Sequence, residues 1–155
     1  MPLEIERKFL VRKDLWYALH KPAGEDIIQG YLVSEPSLTI RVRVKDSNGF
    51  LTIKGPAHNA TRLEYEYGIP HSEAIELLKT FTGNIIEKIR YRISFEGKTW
   101  EVDEFFGNNE GLIIAEIELT REDETFVHPQ WLGEEVTEDK KYVNSALAVN
   151  PYKTW

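Results

Sequence analysis

Glu4, Glu6 and Lys8 are spaced two residues apart, and ionisable side chains at the same spacing return along most of the chain. Carboxylates pair as Glu64-x-Glu66, Glu101-x-Asp103 and Glu116-x-Glu118. Bases pair as Arg41-x-Arg43 and Lys88-x-Arg90, with Lys54 between the two sets. Gathered carboxylates repel one another unless a divalent cation lies among them, and hard oxygen donors favour Mg²⁺ or Mn²⁺. Gathered Arg and Lys suit phosphate oxygens, Arg through its planar fork and Lys as a point charge. One ligand class calls for both sets at once: a polyphosphate that carries metal ions.

The elements that position these groups are strands. Side chains alternate faces along a strand, so Glu4, Glu6 and Lys8 share one face while Leu3, Ile5, Phe9 and Val11 share the other. The same division separates Arg41 and Arg43 from Ile40, Val42 and Val44. It separates Glu64 and Glu66 from Leu63, Tyr65 and Tyr67, and Lys88 and Arg90 from Ile89 and Tyr91. Each segment is short, rich in β-branched and aromatic residues, and bounded by turn formers. With 27–33 around Tyr31, about eight strands are predicted. An ordinary antiparallel sheet turns a mixed polar face to water; here that face is almost wholly ionisable. Buried charges persist only when paired, hydrated or bound to ions. The predicted fold is therefore α+β: an eight-stranded antiparallel β-barrel, a tunnel with a polar charged lumen, its apolar face outward beneath packed helices. Inward parity reads as ionic throughout, which excludes a barrel for an apolar ligand.

Helices are predicted over 12–21, over 71–81 (apolar stripe Ala74, Ile75, Leu77, Leu78, Phe81), from Thr120 to Val127, and from Thr137 to Val149. Asp46-Ser47-Asn48-Gly49 and Glu96-Gly97-Lys98 read as hairpin turns. No internal linker appears, so 1–155 is expected to form a single domain. A chain of this length buries roughly 70% of its unfolded surface, enough for one core. A net charge of −7 argues against nucleic-acid and membrane partners. With no cysteine, disulfide and thiolate chemistry are excluded, in keeping with a reducing compartment. The first residues read directly into a strand, no signal peptide is read, and no apolar run approaches a membrane span; a cytoplasmic location is expected. His20, His58, His71 and His128 lack metal-ligand spacing and read as surface residues. Trp16, Trp100, Trp131 and Trp155 read as outer packing, and Lys45 reads as surface.

The ordered set now resembles a known family. Glu4-Ile5-Glu6-Arg7-Lys8 is similar to the ExExK signature of the CYTH superfamily, the triphosphate tunnel metalloenzymes. The likeness continues through Arg41/Arg43, Lys54, Glu64/Glu66, Lys88/Arg90, Asp103, Glu116/Glu118 and the stretch 135–142. It implies a tunnel that processes a triphosphate with a divalent metal, Mg²⁺ or Mn²⁺. Glu4, Glu6, Glu116 and Glu118 would be the metal ligands. Lys8, Arg41, Arg43, Lys54, Lys88 and Arg90 would grip phosphate, with Lys140 reaching in from the closing segment. Glu64, Glu66, Glu101 and Asp103 would hold a second metal, position water, or pair with the bases. Lys8 and Lys88 are candidate catalytic cations. The Gln29-Gly30-Tyr31-Leu32 stretch resembles one in short bacterial members and implies that Tyr31 assists water attack; packing at the rim is the competing reading.

The leading expectation is a metal-dependent hydrolase of inorganic triphosphate or another short polyphosphate. A nucleoside triphosphatase, thiamine triphosphatase or adenylate cyclase of the same superfamily is the alternative, with loops 56–61 and 106–111 available for an organic pocket. A polyphosphate-binding module without turnover is the third. Apolar surface left on the barrel exterior suggests a homodimer.

Overall fold

The structure, a computed structural model, describes residues 2–155. Nine strands are formed: β1 (Leu3–Val11), β2 (Glu25–Glu35), β3 (Leu38–Lys45), β4 (Asn48–Lys54), β5 (Thr61–Ile69), β6 (Ile86–Phe95), β7 (Lys98–Phe105), β8 (Ile113–Glu118) and β9 (Leu132–Glu135). Helix α1 (Lys13–Ala18) follows β1, α2 (His71–Phe81) joins β5 to β6, and α3 (Asn144–Val149) lies near the end of the chain. Eight strands pair antiparallel in the order β5-β4-β3-β2-β6-β7-β8-β1, and Leu3–Ile5 of β1 pair back onto β5 to close the barrel. The short β9, unforeseen in the sequence, adds to the far end of β1 outside the eight. No helix among the described residues is long and apolar enough to cross a membrane.

The apolar faces point outward, and two clusters build the core there. Trp100, Val102, Phe9, Ala115 and Ile117 form one wall, covered by Trp16 of α1 and by Trp131. Their rings meet edge to face, Trp100 to Trp131 at 5.8 Å and Trp16 to Trp131 at 5.5 Å, the arrangement aromatic quadrupoles prefer. Glu104 also points outward and accepts a hydrogen bond from the Trp16 indole at 2.5 Å, which leaves Glu101 and Asp103 on the inner parity of β7. On the opposite side α2 lays Ala74 and Leu78 against Val42 and Val44 of β3.

Several elements depart from expectation for identifiable reasons. The first hairpin turns on Asp46 and Ser47, with Lys45 paired to Asn48. Gly49 lies instead where α2 presses on β4; a Cβ there would stand 2.8 Å from the Ala74 methyl. Residues 120–127 form no helix. Thr120 donates from its amide and hydroxyl to Glu124 (both 2.7 Å), and Phe126 is carried onto Phe9 and Trp100. A helix this short is marginal in itself, so aromatic burial decides the path. The segment 137–149 is likewise broken. The Asp139 carboxylate caps the Lys141 amide, a 3₁₀ turn covers Lys140–Tyr142, and Val143 is extended before α3 begins.

Inward parity is not ionic along its whole length. Residues directly opposite in an antiparallel pair share a face. Leu10 stands opposite Ile114, Ile114 opposite Asp103, Phe105 opposite Lys88, and Ile86 opposite Gln29. These apolar residues belong to the inner face and pack with Leu147 and Ala148 of α3. The lumen is closed at that end by an apolar plug.

Candidate active site

Inside the barrel lies a cavity of about 230 Å³. Its lining comes from every barrel strand except β7's far end: Glu4, Glu6 and Lys8 of β1, Tyr31 of β2, Arg41 and Arg43 of β3, Lys54 of β4, Glu64 and Glu66 of β5, Lys88 and Arg90 of β6, Glu101 of β7, and Glu116 and Glu118 of β8. Strand alternation brings these candidates together because one register fixes the whole inner face. Asp103 stands just behind the lining, 1% exposed. Lys45, Arg62 and Arg92 also line the cavity, so Lys45 is not the surface residue its place beside a turn suggested. Lys140 is the exception among the candidates. It is exposed on the 3₁₀ turn, while the neighbouring Lys141 ammonium lies over the Trp155 ring at 4.5 Å. The closing segment offers Val143, Asn144 and Ser145 to the lumen in its place. The four histidines are exposed, and Trp16, Trp100 and Trp131 are core residues outside the barrel.

One wall is acidic. Glu6 stands opposite Glu118 and Lys8 opposite Glu116 across β1 and β8, and Lys54 reaches both Glu4 and Glu64 at 3.2 Å. Burial, then the charges of Glu116 and Glu4, push the Glu6 carboxyl well above its usual range. Burial and a hydrogen bond shared with Glu64 raise Glu4. Burial, with Glu4 and Glu101 nearby, also raises Glu118. Glu116 goes the other way: burial opposes its charge, but Lys8 at 3.5 Å and a hydrogen bond from Glu6 hold it well below. The crowded carboxyls are thus split, Glu4 and Glu6 raised while Glu64 and Glu116 are lowered.

The other wall is basic. Arg90 makes a two-pronged contact with Asp103 (2.8 and 2.9 Å), and Lys88 reaches the same carboxylate at 2.7 Å. Asp103 is held far below the usual carboxylate range: burial works against its charge, and Arg90 and Lys88 outweigh it. One carboxylate cannot satisfy the whole cluster. Burial, with Arg90 and Arg43 close by, pulls Lys88 down to about 7 despite Asp103. Burial, with Arg41 and Arg90, pulls Arg43 down to about 9. Arg41 bonds Thr52 at 3.1 Å, lies 3.6 Å from Glu66, and keeps its buried Nε without an acceptor among the described residues. At the rim Arg92 pairs with Glu25 and, at 3.1 Å, with Glu101.

Two uncharged side chains join the site without having been singled out. Gln29, fully buried, contacts Arg43, Tyr31 and Asn144. Asn144 contacts Lys88 at 2.9 Å. The signal available in the sequence was slight: Gln29 shares parity with Tyr31, but neither amide carries the charge by which the lumen is recognised. Gly30 between them is needed on the outer face, where a Cβ would meet the Thr82 side chain at 2.7 Å.

The donor set fits a hard divalent cation in kind: four lumen carboxylates on adjacent strands, three of them (Glu4, Glu6 and Glu118) raised by burial and mutual repulsion that a cation would relieve. Among the described residues no three acids or histidines already converge on one point. Ligation would draw Glu4, Glu6, Glu116 and Glu118 together. Loop 106–111 does not open onto this cavity. Phe106, Gly107 and Asn108 border a separate surface hollow with 83–87.

Comparison with known proteins gives a consistent result. The chain is 50% identical to an inorganic triphosphatase of Acetivibrio thermocellus, over 100% of this chain and 99% of the relative. It is 38% identical to an inorganic triphosphatase of Nitrosomonas europaea, over 95% and 97%. A crystal structure of an inorganic triphosphatase superposes with a TM-score of 0.66 at 36% identity, covering 94% of this chain and 97% of that one. A putative adenylate cyclase from Bacillus halodurans shares the fold at 19% identity and a TM-score of 0.61, over 79% and 84%. The CYTH domain model matches residues 2–147, and with the closed barrel and its charged lumen the match is unambiguous: the chain belongs to the CYTH domain family.

Proposed function

We propose that the protein is a cytoplasmic, divalent-metal-dependent hydrolase of inorganic triphosphate. The observation that carries this reading is the facing of an acidic and a basic wall across one narrow lumen, where a compact polyanion with its metal satisfies both. The names of the two relatives, inorganic triphosphatase, support it. The lining supports an inorganic substrate in particular: among the described lining residues Tyr31 and Val143 alone are of apolar or aromatic type, too little to seat a purine or a thiazolium ring.

In this reading Glu4, Glu6, Glu116 and Glu118 hold Mg²⁺ or Mn²⁺. When bound, the ion supplies Lewis-acid neutralisation of charge on phosphoryl oxygens. Arg41, Arg43, Lys54 and Arg90 bind and orient the phosphates, so that cleavage proceeds by positioning and electrostatic stabilisation. Lys8 is held protonated: burial opposes its charge, but Glu116, Glu6 and Glu4 raise its pKa, which suits a fixed cation better than a base. Lys88 stays a candidate for moving a proton, since its pKa lies near neutrality. Glu64, Glu66 and Glu101 pair with the bases when the lumen is free, and Asp103 keeps Lys88 and Arg90 in place. Lys140 is not part of this assignment.

The test is phosphate release from tripolyphosphate, ATP and thiamine triphosphate, each with Mg²⁺, Mn²⁺ or EDTA, in the wild type and Glu4→Ala. Metal-dependent release from tripolyphosphate that Glu4→Ala abolishes is expected. Preference for ATP or thiamine triphosphate would overturn the inorganic assignment, and binding without release would overturn hydrolysis.

A further inference from the structure

Gln29 engages both amide protons and its carbonyl oxygen, and the chemistry of its partners leaves one arrangement. The Arg43 guanidinium can only donate, so the Gln29 atom 2.8 Å from Arg43 Nε is the carbonyl oxygen. The amide nitrogen therefore faces the other way and spends its two protons on the Tyr31 hydroxyl oxygen at 3.0 Å and on Asn144 Oδ1 at 3.1 Å. Asn144 Oδ1 is fixed as the acceptor a second time, because Lys88 also donates to it at 2.9 Å. Neither amide can flip without placing donor against donor.

The consequence falls on Tyr31. Its oxygen already accepts from Gln29, and among the described residues no oxygen accepts its proton. Its ring packs against the apolar plug, the residue lines the lumen, and the bulge that follows it in β2 aims the side chain. We infer that Gln29, oriented by Arg43 and Asn144, is a positioning residue that turns the Tyr31 hydroxyl proton into the lumen. Tyr31 then serves as a hydrogen-bond donor to a phosphoryl oxygen of the substrate and not as the base for water. The kinetic consequence rests on the triphosphatase reading; the hydrogen-bond assignment does not.

Two measurements on the full chain test it. In ¹⁵N-labelled protein free of metal and substrate, the Gln29 side-chain amide is identified by its loss in Gln29→Glu. Both protons are expected to resist exchange with D₂O. Tyr31→Phe should shift one of them, and Asn144→Ala the other. A freely exchanging pair, or one that Tyr31→Phe leaves in place, overturns the inference whatever the enzyme turns over. The second measurement is a double-mutant cycle on tripolyphosphate hydrolysis. Gln29→Glu keeps the acceptor for Arg43 but gives Tyr31 an acceptor for its proton. It should lower kcat by about 100-fold, as loss of one oriented donor does, and Tyr31→Phe should do the same. The double variant should lose no more than either single. A general effect of the added charge or of disturbed packing would persist in the Tyr31→Phe background, so multiplying losses overturn the inference. A protected amide in a protein that releases no phosphate breaks the triphosphatase reading alone.

Discussion

The acidic wall of β1 and β8 and the basic wall of β3 and β6 are perturbed in opposite senses. On the first, burial and mutual repulsion raise Glu4, Glu6 and Glu118, a strain that a cation among them would relieve. On the second, burial and mutual repulsion lower Lys88 and Arg43, so the wall favours an anion that offsets its crowded positive charge. Each wall alone is a strained set of like charges. Bases set among the acids relieve part of the strain, as Lys8 with Glu116 and Lys54 with Glu4 and Glu64 show. What remains unsatisfied on both sides together matches a metal–polyphosphate in sign, and that complementarity argues for function more strongly than either wall does.

The largest effect should come from breaking the acidic wall. Glu6→Gln should cut tripolyphosphate turnover by about 1,000-fold, in the upper range for loss of one main electrostatic contributor, while making the metal-free protein more resistant to heat at pH 8. The sign follows from the raised Glu6 pKa. A carboxyl with a folded-state pKa above its unfolded value adds stability at low pH, and that stability is lost as pH rises through the folded value. A glutamine does not ionise, so the gain should appear at pH 8 and vanish near pH 4. Melting curves in EDTA at the two pH values decide it, and a variant less stable at pH 8 would show that Glu6 is not strained.

The basic wall should respond in the opposite way. Asp103→Ala removes the shared partner of Lys88 and Arg90, leaving Lys88 without a carboxylate and Arg90 with Glu101 alone at 3.5 Å. Breaking such a pair costs about 3–5 kcal/mol, read by urea unfolding at pH 7. Because the folded pKa of Asp103 is depressed, its contribution is present above the ordinary carboxylate range and lost only in strong acid. A loss at pH 7 no greater than that of an exposed acid would make the wall less dependent on Asp103 than its contacts indicate.

Proton linkage sharpens the comparison further. Metal-free tripolyphosphate should draw protons onto the protein at pH 8, up to about one per chain, as Lys88 returns toward the ordinary lysine value from about 7. Mg²⁺ alone should release protons over the range in which the raised Glu4 and Glu6 carboxyls still hold them. Calorimetry in buffers of different ionisation enthalpy measures both. Release with the anion, or uptake with the metal, would reverse the assignment of the walls.

The strand faces were legible because a single two-residue period carries both the outer core and the inner charges. From Glu4 to Glu118 the lumen lining follows that period. The plug was not legible for the same reason. Leu10, Ile86, Phe105 and Ile114 each extend an inward parity by one apolar residue, and only α3 packing against them tells a closed end from an open one. The composition of the two outer segments allows helix throughout, yet 120–127 forms none and 137–149 is α-helical only from Asn144. The aromatic wall and the Asp139 cap, both tertiary or local side-chain effects, decide otherwise. Gln29 and Asn144 escaped notice because an amide announces nothing until its partners are in place.

The smallest effect should come from Lys140, which the family resemblance sets in the lumen and the structure leaves outside it. Lys140 and Lys54 carry the same charge, but Lys54 Nζ lies 3.2 Å from two lumen carboxylates while Lys140 is exposed outside the barrel. An exposed charge is screened by solvent within about 10 Å at 0.1 M salt, so Lys140→Ala should change KM and kcat for tripolyphosphate by less than about twofold. Lys54→Ala should raise KM by about tenfold or more, as loss of a charge-assisted contact worth roughly 1.5–3 kcal/mol requires. Steady-state kinetics on the two variants at 20 mM and 200 mM salt separate the cases. If Lys140→Ala raises KM as Lys54→Ala does, the closing segment must fold inward when substrate binds. Equal insensitivity of both variants would instead mean that substrate binding does not depend on the acid-paired base of β4.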